Sequence, residues 1–285
     1  KTKDGTAGAS ASTTPTTPGA TPVEIARAFV AARLGARSLP GFPGEIPASL
    51  AEAYAIQDIA IGLYPDDIAG WKVGRVPPDL QARLGEERIG GPSFRGALRL
   101  PLRGETVRLP VIAGGFGAVE AEFVYRLAAD APAGKTDWTT SEALAIAASL
   151  HIGVEFAGSP LKTINDLGST VVASDFGNNA ALVVGPEIEG WRERPDATLT
   201  CETFIDDLSV GAGAAASVPG GPAPALAFLL GHCAARGLPL KAGMYVTTGA
   251  ATGIHEIKAG QTARVSFGEF GEILCAAEIA RPTAR

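Results

Sequence analysis

From residue 98 to the end, the sequence runs in short β-branched or alternating segments broken by Gly and Pro, with only two helix-length patterns among them, 139–150 and 223–236. A doubly wound parallel sheet needs a crossover helix between most strand pairs, so that architecture is excluded. An α+β fold is expected instead, with a mixed or antiparallel sheet. The strand candidates are "IAGWKVG" (68–74), "VEAEFVYRLAAD" (119–130), "HIGVEFAG" (151–158), "NAALVVGPEI" (179–188), a pair within 197–215 turning at Asp206-Asp207, and most of 244–279. "PPDLQARLG" (77–85) predicts a short helix and "LPGFPGEIP" (39–47) a loop.

Helix starts are marked plainly. Thr21-Pro22-Val23-Glu24 is a capping box with Pro at the first helical position, and apolar residues continue to Leu34 before Gly35. Ser49…Glu52 repeats the box, for a helix to about Tyr64. Thr139…Glu142 does so again, for a helix through about Leu150. Helix 223–236 stops at Gly237. Residues 1–21, rich in Thr, Ala, Gly, Pro and Ser, are expected to be a flexible tail or leader. Residues 22–285 are then expected to form a single domain, with a helical part (22–66) and a β-rich core (67–285).

The composition allows a large core, at 46% hydrophobic and 19% charged residues. A net charge of −6 without a dense basic cluster excludes a nucleic-acid partner. No apolar run reaches membrane-spanning length. Three scattered cysteines, Cys201, Cys233 and Cys275, give neither a disulfide framework nor a thiolate zinc site, and a reducing, cytoplasmic setting is expected.

Two glutamates, Glu120 and Glu122, interrupt the apolar strand "FGAVEAEFVYRL" (116–127). Residues two apart on a strand share a face, roughly 7 Å apart at Cα. Buried together without compensation, one carboxylate would have to keep a proton. A hard divalent cation resolves the repulsion. Glu155 is a third acid in an apolar strand. The same E-x-E pattern also describes a solvated strand face. Lys72, between Trp71 and Val73, either snorkels to water or clamps an anionic substrate and donates a proton to it.

Several motifs together resemble one family: Gly70-Trp71-Lys72, the pair Glu120/Glu122, "GVEF" around Glu155, "ASDFGNNAALVVG" (173–185), "VTTGAATG" (246–253) and "FGEFGEI" (267–273). Their order and spacing are similar to those of the 2-keto-4-pentenoate hydratases and the sister 4-oxalocrotonate decarboxylases, within the fumarylacetoacetate hydrolase superfamily. The resemblance covers about residues 22–280. It implies a mixed β-roll or incomplete β-barrel with helices packed outside, like the C-terminal domain of that superfamily. It implies Mg²⁺ or Mn²⁺ on Glu120, Glu122 and Glu155, with Lys72 as the active-site lysine. It gives Asp175 a catalytic place, with a turn-forming structural acid as the equal alternative, and Asn178, Thr248 and Gly249 places near the substrate. A homo-oligomer is expected.

The implied activity is metal-dependent hydration of a 2-hydroxydienoate or 2-oxo acid. A decarboxylase of an oxalocrotonate-like diacid is the alternative, with Arg75, Arg95 or Arg99 as a second anion anchor. A non-catalytic partner subunit is the third possibility. One departure stands out: the family's aspartate some twenty residues after the lysine has no counterpart in "ERIGGPSFRG" (87–96). Of the histidines, His151 is expected after a helix end and His232 inside a helix, while His255, after the "TG" turn, is a candidate for the substrate site. No histidine precedes the E-x-E in position to activate water, which favours a lyase over a hydrolase.

Overall fold

The computed structural model describes residues 19–283. Its helices are α1 (Pro22–Leu34), α2 (Leu50–Leu63), α3 (Pro78–Leu84), α4 (Thr140–Ala145), α5 (Ser169–Ser174) and α6 (Pro222–Ala235). Its strands are β1 (Ile68–Arg75), β2 (Arg88–Phe94), β3 (Leu98–Arg99), β4 (Thr106–Val111), β5 (Phe116–Leu127), β6 (Ala147–Ser159), β7 (Asn179–Glu187), β8 (Thr200–Ile205), β9 (Leu208–Ala214), β10 (Tyr245–Thr247), β11 (His255–Glu256), β12 (Thr262–Ser266) and β13 (Glu272–Ile279). The tail expected at 1–21 falls mostly outside the described residues.

One sheet runs β2-β1-β10-β5-β6-β7-β3, with β11 also on β5, and curls into a half-barrel. A second runs β4-β13-β12-β8-β9. Both are mixed: β1/β10, β3/β7 and β4/β13 pair parallel, and the other pairs are antiparallel. The α+β expectation holds. Among the described residues no helix is long and apolar enough to cross a membrane.

The centre is the long hairpin of β5 and β6, both buried almost throughout. Burial on two faces explains the near-continuous apolar sequence. The Asp206-Asp207 turn joins β8 to β9 with both residues at positive φ, 47° and 64°, as a tight hairpin of the favoured hand requires. α1 carries the full capping box at Thr21 and buries Ile25, Ala26, Phe29 and Val30, mainly against α2. That face brings Arg33, in the last turn, over the hairpin's end.

Two local expectations are corrected. The helix predicted through Leu150 ends at Ala145, because Ala147–Leu150 belongs to β6, where Ala147 pairs with Leu127 and Leu150 with Tyr125. His151 is therefore a strand residue, not a helix-end one; its ring contacts Ser149 Oγ and the Gly185 carbonyl. The box at Ser49 is half formed: Ser49 Oγ accepts from Glu52 N at 3.2 Å, but the Glu52 carboxylate reaches back to Ala48 N rather than to Ser49.

Candidate metal centre

Register builds the site. In the antiparallel β5/β6 pair Glu120 lies directly opposite Glu155, and Glu122 opposite Gly153. Like charges directly opposite destabilise a sheet, and here all three carboxylates are also buried. One ligand oxygen from each lies within 4.8 Å of the others.

Two of the three carboxylates are held in part. Glu122 Oε2 accepts from the backbone N–H groups of Thr248 (3.0 Å) and Gly249 (2.7 Å). Glu155 Oε1 accepts from Asn179 Nδ2 and lies 3.2 Å from Lys72 Nζ. Yet Glu122 Oε1 and Glu155 Oε2 are buried with no hydrogen-bond partner. Unpartnered buried carboxylate oxygens are costly in a folded chain.

The electrostatics agree. Burial pushes Glu120 up to about 8, with the Glu155 charge adding to the shift. Burial and the same neighbour lift Glu122 well above the ordinary range. Burial also raises Glu155, against the pull of Lys72. For Lys72, burial works against the ammonium, but the three carboxylates outweigh it and hold its pKa above normal. Hard oxygen donors, an excess of negative charge and two free oxygens on one small volume fit a divalent cation.

Beside the carboxylates lies a cavity of about 450 Å³, whose walls include Lys72, Glu120, Asn178, Asn165, Thr248 and Gly249. Arg75, Glu87 and Arg88 line it as well, with Val172, Val218 and Ile254 supplying apolar wall. Lys72 Nζ donates to Asn178 Oδ1 at 3.3 Å, and Asn178 Nδ2 donates to Asn165 Oδ1.

Two sequence candidates lie elsewhere. Asp175 is not on the cavity wall; Arg33 takes both of its oxygens at 2.6 and 2.9 Å, and Ser159 Oγ donates to Oδ2. His255 is also off the wall, with Nε2 against the Thr252 carbonyl and hydroxyl. His232 packs in α6 between Tyr54 and Phe228, and burial with the Arg236 charge holds its pKa down at about 3. Sequence reasoning missed Asn165, Asn179 and Arg33. Asn179 had a signal, standing beside Asn178 at the start of β7.

The sequence matches no family model and no curated protein. Solved structures are more informative. 4-Oxalocrotonate decarboxylase from Pseudomonas putida G7 superposes over 90% of this chain and 96% of its own, with a TM-score of 0.72 and 21% identity, in a complex with calcium and acetate. The same enzyme with magnesium and adipate gives 0.73 and 20%, covering 90% of this chain and 97% of that one. Fumarylpyruvate hydrolase from Pseudomonas aeruginosa, with Mn²⁺ and pyruvate, gives 0.56 and 14% over 73% of this chain and 88% of its own. This chain has the fumarylacetoacetate hydrolase fold. In this chain β5 and β6 carry the three carboxylates and β1 the lysine.

Proposed function

We propose that the chain is a metal-dependent enzyme of 2-oxo acids or their 2-hydroxydienoate forms, with hydratase-type lyase chemistry as the first reading. The observation that carries it is the buried three-carboxylate set, with two unpartnered oxygens, beside a buried lysine and a cavity of small-molecule size. Glu120, Glu122 and Glu155 would hold Mg²⁺ or Mn²⁺; structures of the same fold contain calcium, magnesium or Mn²⁺. When bound, such an ion supplies a Lewis acid that stabilises negative charge on an α-keto carboxylate.

The chain's own groups do the rest. Lys72, beside Glu155 and on the cavity wall, is placed to serve as a positive charge and hydrogen-bond donor to an anionic substrate. Asn178 holds the lysine's ammonium in place. Thr248 and Gly249 aim Glu122 through their backbone N–H groups. Val172, Val218 and Ile254 shield a substrate's carbon chain from bulk water. Glu87 is the acid that lines the cavity within the stretch lacking the family's aspartate. We assign it the proton delivery to C5 that hydration at C4 of a dienoate requires.

Arg75 and Arg88 favour a second reading. Both line the cavity, and a second carboxylate could anchor there, as decarboxylation of a 2-oxo diacid requires. Turnover of mono- and dicarboxylate 2-oxo acids, with CO₂ followed, separates the two: hydration without CO₂ supports the first, and CO₂ from the diacid alone supports the second. Calorimetry with Mg²⁺ and oxalate tests the shared premise. Heat of binding and a raised melting temperature are expected; neither appearing would favour a non-catalytic partner subunit.

A further inference from the structure

One short segment beside the cavity is held in a conformation that chains avoid. Phe176, Gly177 and Asn178 are buried and have consecutive positive φ values of 54°, 63° and 58°. A bulky residue stays in the left-handed region only where its surroundings over-determine it. The Phe176 ring meets Phe94 and Tyr64 edge-on at 5.0 and 5.5 Å, and the Arg33 guanidinium lies 5.3 Å from its centroid. Gly91 on β2 lets the two backbones touch, since a Cβ there would collide with the Phe176 carbonyl. A Cβ at Gly177 would stand only 2.9 Å from Lys72 Cδ, so the turn packs directly on the lysine's stem.

Arg33 pins both ends of this turn. Its Nε and Nη2 donate to the two oxygens of Asp175, before the turn. Its Nη1 donates to the Asn179 carbonyl, after it, at 2.8 Å, and Nη2 also reaches the Gly158 carbonyl on β6 at 2.9 Å. On the cavity side, Asn178 Oδ1 accepts from Lys72 and Asn179 Nδ2 donates to Glu155 Oε1. We propose that Arg33 is a positioning residue: from α1 it clamps the left-handed turn 176–178 and thereby fixes Lys72 and Glu155 within the carboxylate–lysine cluster. The helical part of the chain then sets the geometry of a site to which it contributes no lining residue. This inference rests on the reading of the cavity as a metal and 2-oxo acid site.

Two variants of the full chain test it. Arg33→Lys keeps a charge for Asp175 but loses the planar fork. Arg33→Met combined with Asp175→Asn removes both charges, leaving no buried ion uncompensated. Binding of Mg²⁺, and of oxalate at saturating Mg²⁺, is measured by calorimetry. Each variant is expected to lose about 10- to 100-fold in one or both affinities, the double variant more than Arg33→Lys. Hydrogen exchange in metal-free protein should quicken within residues 168–180 while protection elsewhere persists. A merely structural role would lower the melting temperature and leave the affinities of the folded protein unchanged.

Affinities within about twofold of wild type in a cooperatively folded variant overturn the proposal. Should neither variant fold, a crystal structure of the wild type decides. Arg33 on Asp175 with Asn178 on Lys72 supports the clamp, and their separation overturns it. A wild type that binds neither probe instead defeats the functional reading, and the exchange result alone then judges the clamp.

Discussion

In the Arg33–Asp175 cluster every charge is matched: both carboxylate oxygens accept from the guanidinium, Ser159 adds a third donor, and the Gly158 and Asn179 carbonyls accept from the outer guanidinium nitrogens. The Glu120–Glu122–Glu155–Lys72 cluster is no less buried, yet it sets three carboxylates against one ammonium and leaves two oxygens unpartnered. The first cluster is complete as folded and reads as a strut. The second is complete only with another positive charge, and it opens on a cavity. Burial alone does not separate a site from a strut; stoichiometry and satisfaction do.

The sharpest way to break this contrast is to neutralise one charge in each cluster. Glu122→Gln should abolish measurable Mg²⁺ binding and lower turnover by at least about 100-fold. Lys72→Ala should lower turnover by about 10²–10⁴-fold with the fold intact by circular dichroism. Stability should move in opposite directions. Arg33→Met strands the Asp175 carboxylate and should cost about 3–5 kcal/mol in denaturant unfolding. Glu122→Gln removes a buried, half-unpartnered acid that repels its neighbours once ionised, and should raise the melting temperature of metal-free protein at alkaline pH. Destabilisation by both would erase the distinction.

Acidity sharpens it further. Glu120 sits at about 8 in the metal-free fold, above its ordinary 4.5. The folded chain therefore keeps a proton that the unfolded chain gives up. The resulting stability is fully present below 4.5 and is lost as pH rises through 8. The melting temperature without metal should fall between about pH 5 and pH 8.5, and Mg²⁺ should bind more tightly over the same range, releasing protons. The smallest effect is a control. Thr139→Ala breaks the α4 capping box and should cost about 1 kcal/mol with no change in Mg²⁺ affinity.

Local pattern carried much of this to the sequence. The period of two put Glu120 and Glu122 on one face, and the capping boxes at Thr21 and Thr139 set helix starts that the structure repeats. What escaped was long-range. No spacing shows that Glu155 faces Glu120 across a hairpin or that Arg33 meets Asp175 across 142 residues. A cation in a helix's last turn is ordinary, so Arg33 carried no signal. Asp175, in a motif beside Asn178, read equally as a working acid or a structural one, and nothing in the motif shows that its oxygens meet Arg33 and Ser159. Ala147–Leu150 continued an Ala-rich helical pattern, and only pairing with β5 turned it to strand.

The most direct measurement is a crystal of the wild-type protein grown with Mn²⁺ and oxalate, with anomalous scattering recorded near the manganese edge. A single strong peak among Glu120, Glu122 and Glu155, with oxalate beside it next to Lys72, is the predicted result. The three side chains turned away from one another, with no anomalous peak between them at saturating Mn²⁺, would contradict it.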